Sequence, residues 1–401
     1  MLGRMAAAGP LTGLTVLDLT RVLSGPYCTM FLGDMGARVI KVEHPDRGDD
    51  TRAWGPPFVK GESAYFLGTN RNKESVTLDF KNPRGRTVFD RLVDRADVLI
   101  ENFRPGTMTR AGLDFDTLHA RLPRLIYCSI SGFGHTGPRR NQAGYDAVIQ
   151  AEGGLMSITG AADGPPFRLG VAIADMVAGL LAAQGILLAL YARDRTNRGQ
   201  HIDIGMLDGV VSLLTYHSTM HMVANTIAER VGNGHATIAP YDSFMAADGD
   251  FFLAVGNDDQ FRRLCQVAGL HDLAADPRYA TNPARVHNKD ALKAALEAVL
   301  RERSRSSWIA MLTESGVPCG SVRQVAEVLN DSQLLARRMI ESVEHATIGP
   351  MKMLGIPIKL SETHGSVRTA PPTLGQHTDA VLTELGLGAS DIASLREAKV
   401  I

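Results

Sequence analysis

Leu14-Thr-Val-Leu-Asp-Leu19 and Ala37-Arg-Val-Ile-Lys-Val-Glu43 are two short β-rich runs, and residues 26–35 between them carry a helical pattern. The same alternation continues outward from that pair. Ser75-Val-Thr-Leu-Asp-Phe80, Val98-Leu-Ile-Glu-Asn102 and Leu125-Ile-Tyr-Cys-Ser-Ile130 read as further strands. Residues 83–96 between two of them read as a helix opening on Pro83, a residue suited to a first helical turn because its missing N–H has no partner to lose there. Strands alternating with helices at this spacing build βαβ units, so the chain is expected to be α/β with a mostly parallel sheet. Gln200-His-Ile-Asp-Ile-Gly205 supplies a last strand, and a helical run to about residue 222 closes the unit.

At 401 residues the chain exceeds one small core, and two domains are expected. The character changes after Thr226. Asp248-Gly-Asp250 reads as a hairpin turn between runs at 241–247 and 251–255, and helical patterns follow at 259–269 and 288–301. The expected division is a large domain over 11–225, a small α+β domain over 230–316, and a part from 317 to 401 that returns to the large domain. No internal repeat or low-complexity stretch interrupts this plan.

Composition narrows the function. With 44% apolar and 21% charged residues and a net charge of −1, the chain reads as an ordinary soluble protein. It gives no electrostatic reason to bind nucleic acid or an anionic membrane, so any basic site must be local and matched to a small anion. Cys28, Cys128, Cys265 and Cys319 stand far apart without zinc or redox spacing, which implies reduced thiols and a cytoplasmic location. His217 and His221 are one helical turn apart but lack the intervening glutamate of a zinc motif, and no metal site is expected. Gly132-Phe-Gly134-His-Thr-Gly137 matches a dinucleotide fingerprint in letters. The following Pro138-Arg-Arg-Asn does not open a suitable helix, however, and no acidic residue ends a strand at the right distance.

The candidate for chemistry is Asp175. In Leu169-Gly-Val-Ala-Ile-Ala-Asp175-Met-Val-Ala-Gly-Leu-Leu-Ala-Ala-Gln184-Gly-Ile-Leu-Leu-Ala-Leu-Tyr-Ala192 it is the single charge. A carboxylate in such a setting costs several kcal/mol unless paired or hydrogen-bonded. Two readings compete: Asp175 as N-cap of a helix from residue 176 to about 193, or Asp175 as a nucleophile kept ionised by a helix terminus. The charge-free run 176–192 also lies at the lower limit for a membrane span. Gln184, Gly179 and Gly185 interrupt it and no aromatic belt flanks it, which favours a helix buried in a large domain.

Several stretches together carry a family resemblance. Gly13-Leu-Thr-Val-Leu-Asp-Leu-Thr-Arg21-Val-Leu-Ser-Gly-Pro26, Leu32-Gly-Asp-Met-Gly-Ala-Arg-Val-Ile-Lys-Val-Glu43 and Glu101-Asn-Phe-Arg-Pro-Gly106 resemble the opening motifs of the family III CoA-transferases, the CaiB/BaiF type. Ser131-Gly-Phe-Gly-His-Thr-Gly-Pro138, Gly144-Tyr-Asp146, Asp163-Gly-Pro-Pro166, Asp175 with Gly179, Gly316-Val-Pro-Cys-Gly320 and Leu374-Gly-Gln-His-Thr378 follow in the family's order. Gly234-His-Ala-Thr-Ile-Ala-Pro-Tyr241 and Asn282-Pro-Ala-Arg-Val-His-Asn-Lys289 are most similar to the succinyl-CoA:glutarate (succinate–hydroxymethylglutarate) branch.

The resemblance implies a Rossmann-like large domain, an interlocked homodimer and acyl transfer by an aspartate that falls on Asp175. The carboxylate attacks an acyl-CoA thioester, expelling CoA thiolate and leaving an acyl-aspartyl anhydride. CoA then re-attacks to give an aspartyl-CoA thioester and free the donor acid, and the acceptor acid takes the CoA through a second anhydride. Coenzyme A thioester is substrate, and no tightly bound cofactor is implied. Gly232 and Gly234, in Gly232-Asn-Gly-His235, fall at the family's glycine-rich active-site loop. Positions implied to contact CoA are Leu23, Ser24, His44, Leu78, Lys81, Asn102, Phe103, Arg104, Arg110, Tyr145 and Asp146. Leu23 replaces a glutamine of the oxalate-specific enzymes, and His44 replaces an arginine. Trp54, Tyr65 and Tyr145 are candidates for the acyl pocket, and Arg52, Arg71 and Arg168 for holding the second carboxylate of a dicarboxylate acceptor. A 2-methylacyl-CoA racemase of the same fold is the alternative. That branch places a histidine where this chain has Tyr145.

Overall fold

The computed structural model describes residues 9–401. The chain forms two compact units. One holds the described residues up to Leu155 together with Leu169–Tyr216 and Ser332–Ile401; the other holds Met156–Arg168 and His217–Asp331.

The first unit is built on a six-stranded parallel sheet. Its strands are β1 (Thr15–Asp18), β2 (Arg38–Glu43), β3 (Lys73–Thr77), β4 (Val98–Glu101), β5 (Ile126–Ser131) and β6 (His201–Gly205), in spatial order β3-β2-β1-β4-β5-β6. The helices that matter for the site are α1 (Ser24–Asp34), α2 (Ala64–Leu67), α3 (Pro83–Val93), α4 (Asp146–Glu152) and α5 (Ile173–Thr196). Successive strand residues point to opposite faces, so one strand feeds two cores. Val16 packs with Cys28 and Leu32 of α1 and with Ala178, Ala182 and Ile186 of α5. Its neighbour Leu17 packs on the other face with Phe89 and Leu92 of α3 and with Leu382, Leu395 and Val400 from the end of the chain. Sheets covered on both faces want apolar strands. The central β1, β4 and β5 are mostly apolar, whereas the edge strands β3 and β6 carry Lys73, Glu74, His201 and Asp203.

The expected strands are present with shifted ends. The run read at 75–80 forms pairs over Lys73–Thr77, and α1 begins at Ser24, two residues before Pro26, which the first turn tolerates. The apolar stretch forms one helix of 24 residues, Ile173–Thr196. It is long and apolar enough to cross a bilayer by length and composition, yet Ala174, Ala178, Ala182, Ala183, Ile186 and Ala189 lie in the core under the sheet.

The second unit carries an antiparallel sheet of β7 (Tyr241–Ala246), β8 (Gly249–Ala254) and β9 (Cys319–Ser321), in order β9-β8-β7. Phe244, Phe251, Leu253, Phe261, Leu296 and Trp308 form its core. Its limits differ from the single segment read at 230–316. It takes in Met156–Arg168, and it runs on to Asp331 rather than ending where the returning part was read to begin at 317. The added loop is tied by long-range bonds: Gly232 N–H to the Gly160 carbonyl at 2.9 Å, and the Arg230 guanidinium to the carbonyls of Ala161 and Gly164. No periodicity announces such contacts.

Candidate active site

Strand order in the first sheet reverses between β1 and β4, and loops leaving a parallel sheet on either side of such a point diverge to open a crevice. Two cavities of about 200 Å³ each lie there. The first gathers Ser24, Asn102, Phe103, Arg104, Tyr145 and Asp175 from four chain segments. The second gathers His44, Leu78, Lys81 and Phe103. Arg21 and Phe103 line both, so the two cavities share a wall.

Asp175 occupies the first turn of α5 but does not cap it. The helix starts at Ile173, with Ala172 at the N-cap and no side-chain cap of its own. Its free Ala174 N–H is satisfied instead by the Asp146 carboxylate of α4 at 2.8 Å, while the other Asp146 oxygen accepts from Gln150 at 2.7 Å. Asp175 turns to a different helix. Ser24 opens α1, whose N-cap Leu23 offers no side-chain bond. The Ser24 hydroxyl and backbone N–H lie near enough to Asp175 to lower its pKa, and the hydroxyl also accepts from the Asn102 amide at 3.5 Å. Each carboxylate thus serves the helix next to its own. The capping expectation for Asp175 is corrected accordingly, because a carboxylate three residues into the helix can swing outward to a neighbour's exposed N–H groups.

Gly179 completes this arrangement one turn below Asp175, on the same helix face. A Cβ there would stand 2.5 Å from the Ser24 carbonyl oxygen, so only glycine admits α1 this close. Burial raises the Asp175 pKa to about 6, and the neighbouring Asp146 charge adds to the rise, against the two Ser24 bonds that lower it. The group is therefore ionised at neutral pH yet more basic, and more nucleophilic, than an ordinary aspartate.

The expected residues distribute unevenly. Asp146 is bonded internally through both oxygens and acts on the site through its charge. Asn102 spends its amide on the Arg21 main chain, accepting from N–H at 2.9 Å and donating to the carbonyl at 2.7 Å. Arg110 is exposed and bonds Thr107, lining neither cavity. Trp54 and Tyr65 lie outside both linings and pack edge to face with ring centres 5.1 Å apart. Burial raises the Tyr65 pKa, and the charges of Asp175 and Asp146 raise it further, which places its hydroxyl within electrostatic reach of Asp175. Gly232 and Gly234 belong to the second unit, where their N–H groups donate to the carbonyls of Gly160 and Val231. Neither N–H is free for an oxyanion in this conformation.

Two of the three candidate arginines are already taken. Arg52 forms a two-pronged pair with Glu43 at 2.8 and 2.7 Å, and Arg71 forms one with Asp34 at 2.9 and 2.6 Å. Arg168 lies in the second unit. The sequence reading missed Arg21, Arg47 and Ser131. The Ser131 hydroxyl is buried without a partner among the described residues and lines the first cavity. Their position was the available signal: Arg21 and Arg47 follow the ends of β1 and β2 and Ser131 is the last residue of β5, where crevice residues of such a sheet come from.

A parallel α/β sheet with an isolated carboxylate beside two joined clefts at its switch point defines an enzyme that handles an extended small molecule. The family of that enzyme follows from comparison: the description "CoA-transferase family III" matches residues 11–378, and the chain belongs to that family and is a CoA-transferase. It is 42% identical to the succinyl-CoA:glutarate CoA-transferase of Mus musculus over 94% of this chain and 86% of the other. It is 45% identical to the acetyl-CoA:oxalate CoA-transferase of Acetobacter aceti over 88% of this chain and 90% of the other. A solved CaiB/BaiF family protein of Brucella suis superposes with a TM-score of 0.85 at 43% identity, covering 94% of this chain and all of that one.

Proposed function

We propose that this CoA-transferase moves CoA from succinyl-CoA to a short dicarboxylic acid, with Asp175 as the covalent nucleophile. The observation that carries the reading is the Asp175 carboxylate itself. It lines the first cavity, forms no ion pair among the described residues, and has its pKa raised by burial against the opposing pull of the nearby Ser24 hydroxyl and N–H. In the proposed cycle its oxygen attacks the thioester carbonyl and the C–S bond breaks. CoA leaves as thiolate and an acyl-aspartyl anhydride remains. Thiolate attack on the aspartyl carbonyl frees the donor carboxylate and forms aspartyl-CoA. The acceptor carboxylate displaces CoA in turn, and thiolate attack on the acceptor's carbonyl releases the new acyl-CoA and restores Asp175.

The proposed binding mode places the anionic nucleotide end in the second cavity, where Lys81, His44 and Arg47 supply positive or protonatable groups. The acyl end would then reach Asp175 along the shared wall of Arg21 and Phe103, with Tyr145 as an aromatic contact in the lining. Catalytic roles for Gly232 and Gly234 would require the loop to release its internal bonds. Homodimerisation would cover an apolar face of α5, where Leu180, Leu188 and Tyr191 are exposed. A racemase would need an imidazole among the cavity residues, and the first cavity's lining contains none.

Incubation with succinyl-CoA, followed by borohydride or hydroxylamine trapping and peptide mapping, should find the adduct on the Asp175 peptide. Acceptor choice is tested by kcat/KM for glutarate, butyrate and oxalate with succinyl-CoA as donor. A distal charge-assisted contact of about 1.5–3 kcal/mol predicts a tenfold to hundredfold preference for glutarate over butyrate. Equal values for glutarate and butyrate would overturn the dicarboxylate assignment and leave the CoA chemistry intact. Oxalate leading, as the similarity to the oxalate enzyme of Acetobacter aceti allows, would move the acceptor to the shortest dicarboxylate.

A further inference from the structure

Val22 has the backbone geometry most at odds with its side chain. Its φ is +71°, in the left-handed region where a β-branched residue is a genuine outlier. It stands between the end of β1 and the start of α1, two residues before Ser24. Such a conformation persists only where the surroundings over-determine it, and strained residues of this kind concentrate where geometry serves function.

The surroundings here are explicit. Asn102 grips the Arg21 main chain at both its N–H and its carbonyl. The Val22 N–H donates to Asp49 Oδ1 at 3.2 Å. Asp49 is pinned in turn by the fully buried Lys41, whose Nζ donates to Asp49 Oδ2 at 2.9 Å, and by the Thr51 hydroxyl at 2.8 Å. Lys41 also donates to the Thr20 carbonyl at 2.7 Å, anchoring the other side of the turn. Beyond the turn, α1 is locked into the core through Cys28 and Leu32. Relaxation of Val22 would therefore be absorbed by the first turn of α1, where Ser24 meets Asp175.

We infer that Asn102, Asp49 and Lys41 are positioning residues for the transfer reaction: they hold Val22 in its left-handed conformation and so aim the two donors of Ser24 at Asp175. The inference rests on Asp175 being the reacting carboxylate. Other titratable groups also face Asp175 or line its cavity, namely Asp146 from α4, Tyr65 from α2, and Arg21, Asp50, Arg104 and Tyr145. Of these only Arg21 is held by the clamp, and through its main chain alone.

The test is a double-mutant cycle of Asp49→Asn and Val22→Gly, read as kcat, KM and the acid limb of kcat/KM with succinyl-CoA. Asp49→Asn should lower kcat about tenfold or more while KM for succinyl-CoA moves by less than about threefold. It should also shift the acid limb upward, because slack Ser24 bonds stabilise the carboxylate less. Ser24→Ala must move the limb in the same direction. Glycine takes the left-handed conformation without a steric cost, so Val22→Gly in the double variant should recover most of the loss. Substitution effects that multiply independently, or a kcat loss with the limb unmoved, would overturn the clamp. Should Asp49→Asn not fold, Asn102→Ala, which lies outside the buried ionic cluster, carries the same cycle. An active Asp175→Asn would remove the underlying reading, whereas an inactive Asp175→Asn beside an additive cycle overturns the clamp alone.

Discussion

Two groups of acidic residues lie at the carboxyl ends of the same sheet, and their environments are opposite. Under the turn that follows β1, Asp18, Glu43 and Asp49 are buried with Lys41, Lys73 and Arg52. Burial alone would raise each carboxyl pKa. Lys73 and Lys41 nevertheless hold Asp18 below its ordinary range, Arg52 does the same for Glu43, and Lys41 brings Asp49 to about 2. Asp175 and Asp146 face each other with no such cation, and burial leaves Asp175 at about 6. The cluster under the turn is paired this thoroughly, whereas Asp175 lines a cavity without an ion pair among the described residues. Glu101, also buried without a cation and raised to about 7, lines a different cavity. Scarcity of positive charge, more than burial, separates Asp175 from the carboxylates under the turn.

The sharpest way to break this comparison is to remove charge from each region in turn. Asp175→Asn should cut CoA transfer by about a thousandfold or more while leaving the denaturation midpoint at or above that of the native chain, since an unpaired charge is being removed. A variant that transfers CoA normally would end the argument. Lys73→Met should do the reverse, costing about 3–5 kcal/mol of unfolding free energy by urea titration because it strips a fully buried partner from Asp18. A Lys73→Met protein as stable as the native one would show that the pairing is not what holds this end of the sheet.

A smaller effect sharpens the electrostatic part. The raised Asp175 pKa predicts that kcat/KM falls as pH drops through about 6, where the nucleophile becomes protonated. Asp146→Asn removes a like charge, which lowers the Asp175 pKa, so the limb should move to more acidic pH. Its amide oxygen can still accept from Ala174 N–H, which keeps the helix start satisfied. A limb that stays in place, or moves upward, would mean that desolvation alone sets the Asp175 ionisation.

The alternation of apolar runs and helices made the first unit readable, because strands buried on both faces must be continuously apolar and therefore stand out. Asp175 was readable for the same reason, as one charge within an apolar helix. The small unit was less so. Its inclusion of Met156–Arg168 depends on carbonyl contacts from Arg230 that no local pattern encodes. Among the site residues, Ser24, Asn102, Phe103, Arg104, Tyr145 and Asp175 converge on one cavity, and the family motifs had named each of them. Arg52 and Arg71 looked equally available as cations in the sequence. Their partners Glu43 and Asp34 come from other elements, and charge pairing across elements leaves no trace in spacing.

What the sequence by itself determined is the alternating strand and helix pattern, the lone carboxylate of the apolar helix, and the glycine one turn after it. Those are local facts, set by side-chain periodicity and by the cost of a charge among apolar neighbours. Only the tertiary structure decided that Asp146 caps the helix of Asp175 and that Asp175 serves the helix of Ser24. It alone decided that Val22 is held left-handed by residues from two other strand ends, and which carboxylates receive a cation. Each of these depends on segments far apart in the chain meeting at one end of a sheet, where a hydrogen bond or an ion pair is settled by distance and burial that no single segment carries.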